Sequence, residues 1–496
     1  MIEAVPPALI FITGALVLPL IPGRRLRQAW LLALPLLAGL DLLGMPPGTY
    51  WSLRLLHFDL VLGRVDALSM VFAYVFVLIS FIAMLYAIHI RDMGQHVAAY
   101  LYAGSALGVV FAGDFFSLLV FWEIMAVAST FLIWYRRTKA ATEAGMRYIL
   151  VHLTGGCCLL AGIVLQVQAT GSLAFDQLDI HSPGAVLILV GFLVNAAVPP
   201  LHAWLADAYP EGTITGSVFM TAYTTKSAVY ILARCFPGLE ALVWLGAVMT
   251  LYGVVYAVME NDIRRLLSYH IVSQVGYMVC GVGLGTAMAI NGATAHAFCH
   301  ILYKALLFMG AGAVLEVTGR RKLTDLQGCR LYRKMPLTLG FYMIGAFSIS
   351  AVPLFNGFIS KPMIVAAAGA LDRPTVELML HLASIGTFLS VGLKLPWKTW
   401  FGTAPGAVDT LPNATEPPKN MLLAMGLGSL LCVVTGVFPD ALYRLLPYPV
   451  DFHPYEPAHV VGTLQLLVMT LAAFWLFIDR LQDIGRQTIF GKTKTV

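Results

Sequence analysis

Apolar runs of about membrane-crossing length, broken by short polar punctuation, fill the chain. They lie near 4–21, 29–45, 65–90, 97–113, 114–135, 147–169, 185–206, 213–236, 240–258, 266–286, 290–316, 336–370, 377–401, 420–439 and 459–478. About 20 apolar residues in a helix cross the hydrocarbon core of a bilayer. The pattern therefore predicts about 15 transmembrane helices, with 14–16 as the range because several runs are interrupted. Between 97 and 135 the only punctuation is Gly113-Asp114, which predicts a tight turn. The longest loops, near 46–64, 403–419 and 440–458, are too short for a soluble domain.

Composition agrees with the pattern. Hydrophobic residues make up 59% and charged residues 11% of the 496 residues, and the mean hydropathy is +0.81. A soluble domain carries about 25% charged residues. A soluble enzyme, a disordered chain and a disulfide scaffold are excluded, which leaves an all-α polytopic membrane protein embedded in lipid. The seven cysteines form no C-x-x-C pair, and six lie in or at the end of apolar runs. They are expected to be small buried hydrophobes.

Charge sets the expected orientation. Glu3 precedes the first run and Arg24, Arg25 and Arg27 follow it, the reverse of a cleaved signal peptide. With the N-terminus outside, 23 of the 31 Lys and Arg fall in inner segments. They include Arg136, Arg137, Arg264, Arg265, Arg320, Arg321, Arg480, Arg486, Lys492 and Lys494. Five (Arg54, Arg64, Arg234, Arg373 and Arg444) fall outside, and three lysines lie within spans. The positive-inside rule then favours fifteen spans and a cytoplasmic C-terminus. The net charge of +5 reflects this topology and implies no nucleic-acid partner.

An ionisable side chain at the centre of a membrane costs roughly 2.5–3.5 kcal/mol on insertion scales. Four such residues stand out: Glu123 in the fifth span, Lys226 in the eighth, Lys304 in the eleventh and Lys361 in the twelfth. His296, His300 and Lys304 follow at i, i+4 and i+8, one stripe about 12 Å long on a helix. Low-dielectric surroundings disfavour the charged form of such groups, which suits a proton relay. The alternative is a structural ion pair between Glu123 and a lysine, with the histidines bonded to backbone.

Two spans should be interrupted. The seventh contains Asn195, then Ala197-Val198-Pro199-Pro200-Leu201-His202. The twelfth contains Ala351-Val352-Pro353-Leu354-Phe355-Asn356-Gly357. Proline removes a backbone donor and clashes with the preceding turn. Irregular backbone at membrane depth is tolerated only inside protein or along a wet cavity, and paired interruptions point to a transporter built on repeats. A pair of ordinary proline kinks is the alternative.

Further motifs complete the picture: His300-Ile-Leu-Tyr-Lys304-Ala-Leu-Leu-Phe-Met, Phe121-Trp122-Glu123, Pro200-Leu-His-Ala-Trp-Leu-Ala-Asp-Ala-Tyr-Pro210-Glu211, Asp262-Ile-Arg-Arg-Leu-Leu-Ser-Tyr269, Ser273-Gln-Val-Gly-Tyr-Met278 and Asn356-Gly-Phe-Ile-Ser-Lys361. Taken in chain order they resemble the antiporter-like ion-translocating subunits of respiratory complex I, Mrp-type cation/proton antiporters (their D component above all) and membrane-bound hydrogenases. The resemblance implies two inverted five-helix repeats, each with a broken helix, over residues 97–236 and 237–402. Residues 1–96 precede them, and 403–496 add two spans and a tail. It also implies a proton pathway through Glu123, Lys226, His296, His300, Lys304 and Lys361, with Asn195, His202 and Lys394 as further polar positions. One departure stands out. Where the family usually has a lysine, seven residues before the histidine of the P-L-H-x-W motif, this chain has Asn195, which carries no proton at neutral pH. Lys226 is then the expected partner of Glu123. Other outcomes are a water chain or Na⁺ held by Asn195, or lost pumping.

These residues lead to a proton-translocating subunit of a multisubunit complex in a bacterial cytoplasmic membrane. Its other membrane subunits would be its partners and H⁺, with Na⁺ as counter-ion, its cargo. The alternatives are a non-pumping scaffold or anchor subunit of a complex I-like or carbon-uptake complex, and a stand-alone solute carrier. The proline- and aromatic-rich segment 447–457 is expected to be a surface connector, with contact to a neighbouring subunit as the alternative. No P-loop, cysteine cluster or strand-linked G-x-G-x-x-G occurs, so no cofactor, metal or nucleotide site is expected.

Overall fold

The computed structural model describes residues 5–56, 58–402 and 409–484, with side chains through 476. Glu3, Arg486, Lys492 and Lys494 lie outside the described residues. The chain begins with α1 (Pro7–Val17), α2 (Arg24–Leu43) and a hairpin, β1 (Gly48–Leu55) and β2 (Phe58–Val65). The first half continues with α3 (Ala67–Ala87), α4 (Met93–Phe111), α5 (Phe115–Trp134), α6 (Lys139–Thr170), α7 (Ala185–Asn195), α8 (Ala203–Ala208), α9 (Gly216–Met220) and α10 (Thr224–Cys235). The second half holds α11 (Glu240–Met259), α12 (Ile263–Leu284), α13 (Ala287–Thr318), α14 (Leu323–Leu326), α15 (Leu331–Lys334), α16 (Pro336–Ile349), α17 (Asn356–Ala370) and α18 (Pro374–Thr387). After α18 come α19 (Lys419–Val437), α20 (Asp440–Tyr443) and α21 (Pro457–Ile484).

Among the described residues nine helices are long and apolar enough to cross a membrane. Other expected spans correspond to shorter apolar helices, such as α7 and α16, or to the more polar α4 and α12. The centre of the bundle is α13. Of its apolar window 94% is buried, against 11% for α21 at the periphery. Neighbouring helices approach closely through glycine. A Cβ on Gly253 would strike the backbone of Tyr269 and Ser273, and one on Gly191 the carbonyl of Gly155. Without a hydrophobic drive between helices in lipid, such small-residue contacts supply the packing.

The chain departs from the all-α expectation in the loop 46–64. There Gly48–Leu55 and Phe58–Val65 pair antiparallel, with Gly63 and Val65 buried on one face of the second strand. Asp114 Oδ2 accepts from the Val61 amide at 2.7 Å and so ties the hairpin to α5. The connector 447–457 is likewise built into its own chain: Asn291 bonds Tyr448 in both directions, at 2.9 and 3.1 Å. Five cysteines are buried as expected, whereas Cys157 is exposed and Cys158 half-buried.

Both expected interruptions are present. The seventh run breaks between α7 and α8 and the twelfth between α16 and α17, each just after an alanine at positive φ, Ala197 (55°) and Ala351 (56°). At about 1.5 Å per residue, neither α16 nor α17 spans the core alone. A third break, between α9 and α10 at 221–223, has no proline or glycine to announce it. The run after α18 widens into π-helical turns at Phe388–Lys394 and Trp397–Phe401, on either side of Pro396, which lacks a backbone donor.

The local signals around α5–α6 recur around α12–α13, 148 positions later. Asp114 and Asp262 cap α5 and α12. Thr138 and Thr286 cap α6 and α13, which are each 32 residues long and end on a left-handed glycine, Gly171 and Gly319. In both cases the returning chain then pairs with the capping aspartate, Ala174 with Asp114 and Lys322 with Asp262.

Candidate functional site

A line of polar side chains runs through the apolar interior along α13. His296, His300 and Lys304 are all fully buried. His296 bridges Ser360 Oγ at 3.0 Å and Gln274 Oε1 at 3.2 Å. Neither ring nitrogen of His300 has a hydrogen-bond partner, and neither has Lys304 Nζ, which faces the Phe308 ring at 5.9 Å. The rings of His296 and His300 are 6.2 Å apart, and Tyr303 lies 5.2 Å from His300. An unsatisfied buried polar group costs about 1–3 kcal/mol, more when charged. Two successive positions on one helix face, His300 and Lys304, carry that cost.

The two flanking lysines sit at helix breaks, and the breaks supply their acceptors. Lys226 Nζ donates to Thr221 O at 2.6 Å and Thr225 Oγ1 at 3.1 Å. Lys361 Nζ donates to Ile349 O at 2.8 Å and lies 5.1 Å from the Tyr277 ring. An interrupted helix leaves carbonyls without intrahelical donors, and an ammonium is a natural partner for them. Lys226, His296, His300, Lys304 and Lys361 are all buried on helices that pack against α13 or on α13 itself, so five of the six expected pathway residues share the buried interior around that helix.

Glu123 is the sixth, and it stands apart. It is half-buried on α5, forms no ion pair with Lys226 or any other described residue, and its Oε1 has no hydrogen-bond partner. The expected Glu123–Lys226 pairing is therefore not observed. The carboxylate instead rests against Gly156 of α6, where a methyl group would overlap it, and faces a groove of about 560 Å³ lined by Met93, Val97, Phe131 and Tyr135. Asn195 is fully buried at the end of α7, and its Oδ1 bonds His152 Nδ1 at 2.7 Å. His202 is half-buried, packed on the Tyr252 ring at 4.4 Å and away from the α13 line. Lys394 Nζ donates to Val258 O and, at 2.8 Å, to Glu260 O at the end of α11.

A cavity of about 270 Å³ reaches Lys361 between α17, α18 and α21. Its polar lining includes Ser350, Glu377, His381, Ser384 and His459. At the opposite end from the hairpin, Arg264 is buried rather than a surface charge. It donates to Pro210 O at 2.9 Å and Gly212 O at 3.0 Å, beside Arg321, which pairs with Glu211 and Asp262 at 2.7 Å.

Several polar partners escaped the sequence reading: His152, His270, Gln274, Ser360 and Tyr303. His270 Nε2 meets Ser390 Oγ at 2.6 Å. His152 lies within the sixth apolar run and met the same intramembrane criterion as His296. His270 lies within the tenth run and met it too, whereas Gln274, Ser360 and Tyr303 are uncharged, and only packing shows that they face the polar line along α13.

A profile of the family "NADH:quinone oxidoreductase/Mrp antiporter, TM" matches residues 112–390. An uncharacterised protein of Methanocaldococcus jannaschii is 31% identical over 69% of this chain and 74% of its own. NADH-quinone oxidoreductase subunit N of Desulforudis audaxviator is 32% identical over 71% of this chain and 76% of its own. The A component of the Na⁺/H⁺ antiporter of Alkalihalophilus pseudofirmus is 30% identical over 76% of this chain, which spans only 52% of that longer protein. The Mrp complex from Dietzia sp. superposes with a TM-score of 0.83 at 25% identity, over 98% of this chain and 57% of the matched one. The archaeal membrane-bound sulfane sulfur reductase shares the fold, with a TM-score of 0.80. On a profile match over more than half its length and relatives above 30% identity, the chain belongs to the NADH:quinone oxidoreductase/Mrp antiporter transmembrane family and is an integral membrane protein.

Proposed function

We propose that this chain is the proton-translocating, antiporter-like subunit of a multisubunit membrane complex, exchanging H⁺ against a cation such as Na⁺. The observation that carries this reading is the buried line Lys226, Lys304, His300, His296 and Lys361, with a lysine held at a helix break at each end. Protons enter from the cytoplasmic side near Glu123 and Lys226, pass along α13 and leave from Lys361 through the cavity lined by Glu377 and His381. Like charges about 7 Å apart interact by about 2 kcal/mol at an effective dielectric near 20. That is enough to change the proton affinity of a neighbour more than tenfold, so loading one lysine expels the proton from the next. The repeats span 97–236 and 237–402, and the chain lies in a bacterial cytoplasmic membrane with its N-terminus outside and its C-terminus inside. Its partners are the other membrane subunits of the complex, as the names of its relatives suggest.

The reading is tested by reconstituting the complex with Lys304→Ala and following the pH gradient in vesicles. Exchange should vanish while assembly persists, and full exchange would overturn the relay. Asn195 supports a second reading, a scaffold subunit that no longer transports. Wild-type complex that moves neither H⁺ nor Na⁺, with Asn195→Lys equally silent, would establish it.

A further inference from the structure

We infer that His152 is the proton-carrying group of the first repeat, filling with Asn195 the role left open by the missing lysine of the seventh span. The inference rests on the proton-translocating reading above.

The placement comes from the recurrence of α5–α6 in α12–α13. A shift of 148 positions takes His152 onto His300, Tyr148 onto His296 and Gly156 onto Lys304. One titratable ring thus recurs at the same level of two 32-residue helices. Where α13 carries Lys304, α6 carries a glycine, and the Glu123 carboxylate of α5 lies over it. His152 and Gly156 are one turn apart on the same face, so the acid and the imidazole share one stretch of α6.

His152 is itself 1% exposed. Asn195 Oδ1, from α7, can only accept, so Nδ1 carries the proton of their 2.7 Å bond. That leaves Nε2 with the lone pair, buried and without a hydrogen-bond partner. The ring is held between Tyr148 of its own helix, 4.2 Å centroid to centroid, and Trp204 of α8, at 4.5 Å. A histidine kept only for packing has no need of a fixed tautomer with its basic nitrogen open. Asn195 is then a positioning residue. It cannot carry a proton, but it orients the group that does.

A hydroxyl ladder leads onward. Tyr148 OH and Ser129 Oγ share a hydrogen bond at 2.9 Å. Thr224 Oγ1 and Tyr102 OH share a second hydrogen bond at 2.7 Å. Thr224 adjoins Thr225, whose Oγ1 accepts from Lys226 Nζ. A proton arriving from the Glu123 side binds Nε2 and makes the imidazolium. Nε2 has no bonded hydroxyl in this arrangement, so the proton leaves when the ring or the Tyr148 side chain turns to bring Nε2 to a hydroxyl. Each hydroxyl in turn then takes one proton and passes another, and the ring returns to its neutral form. Only N–H and O–H bonds form and break.

The test uses the assembled complex in proteoliposomes, with proton flux followed from pH 5 to 8, the range in which imidazole titrates. His152→Gln keeps an amide donor for Asn195 but cannot be protonated. It should lower flux at least tenfold and flatten the pH profile, with Asn195→Lys in the same chain restoring at least a third of the rate. Tyr148→Phe keeps the ring and should lower flux several-fold, which provides a second reading should His152→Gln fail to assemble. Wild-type flux and pH profile in His152→Gln, or in Tyr148→Phe if that is the variant that assembles, would overturn the inference while loss of flux in Lys304→Ala leaves the relay standing. Full flux in Lys304→Ala would overturn both.

Discussion

Lys361 Nζ reaches back across the break between α16 and α17 to donate to Ile349 O at 2.8 Å, the last carbonyl of the preceding half-helix. Lys226 does the same with Thr221 O between α9 and α10. In both places the break and the lysine form one device. The interrupted backbone supplies an acceptor that stabilises the ammonium in an otherwise apolar interior, and a protonated lysine satisfies a carbonyl that would otherwise be buried without a donor.

Lys361→Met and Lys226→Met keep the length of the stem and remove the charge. Each should lower proton flux at least tenfold, measured as pH-gradient formation by the reconstituted complex. Each also leaves a carbonyl unpaired, at a cost of about 1–3 kcal/mol, so a lower thermal midpoint should accompany the loss. Unchanged flux in either variant would remove that lysine from the pathway.

Gly156→Ala places a methyl group where Glu123 Oε1 lies and should displace the carboxylate from α6. Flux should fall several-fold with little loss of assembly. Gly340→Ala in α16 is the control, because a Cβ there meets nothing within 4 Å. It should leave flux unchanged and raise stability by up to about 1 kcal/mol through helix propensity. Equal behaviour of the two variants would show that Glu123 needs no fixed position.

Arg264 is buried among the carbonyls of Pro210 and Gly212. Arg264→Met should destabilise the chain by roughly 3 kcal/mol or more, since several acceptors lose their donor at once. The check is the thermal midpoint of the purified complex. A shift within error would mean that water replaces the guanidinium at no cost.

Asp66 caps α3 and pairs with Arg234 at 2.7 Å at the hairpin end. Burial raises its carboxyl, but the hydrogen bond and charge of Arg234, the Ser69 amide and the charge of Arg64 outweigh it and hold the group below its ordinary value. A folded-state value below the unfolded one stabilises the fold above the unfolded value, and that contribution disappears as pH falls through the folded one. Asp66→Asn keeps a good helix cap and removes the charge. The wild type should melt higher at neutral pH, and the gap should close below about pH 4. A gap independent of pH would assign the effect to the cap alone.

Much of this architecture was legible along the chain. The apolar runs announced the helices, because lipid forces every spanning backbone to satisfy itself internally. The prolines at 199 and 353 announced two breaks, and of the six intramembrane residues singled out, Lys226, His296, His300, Lys304 and Lys361 are the five that the structure buries around α13. The break before Lys226 was not legible, because residues 221–223 are Thr-Ala-Tyr, with no strong helix breaker. The hairpin was hidden in a segment too short and mixed for periodicity to separate strand from loop.

The sequence by itself determined which residues carry charge into the membrane and roughly at what depth, since depth follows from position along a helix of fixed rise. Only the tertiary structure decided who meets whom. It set Glu123 against Gly156 rather than Lys226, joined His152 to Asn195 from different helices, and turned Arg264 inward. The physical reason is that rotation about a helix axis and the crossing of its neighbours are set by close packing of side chains far apart in the chain, and that packing has no local signature.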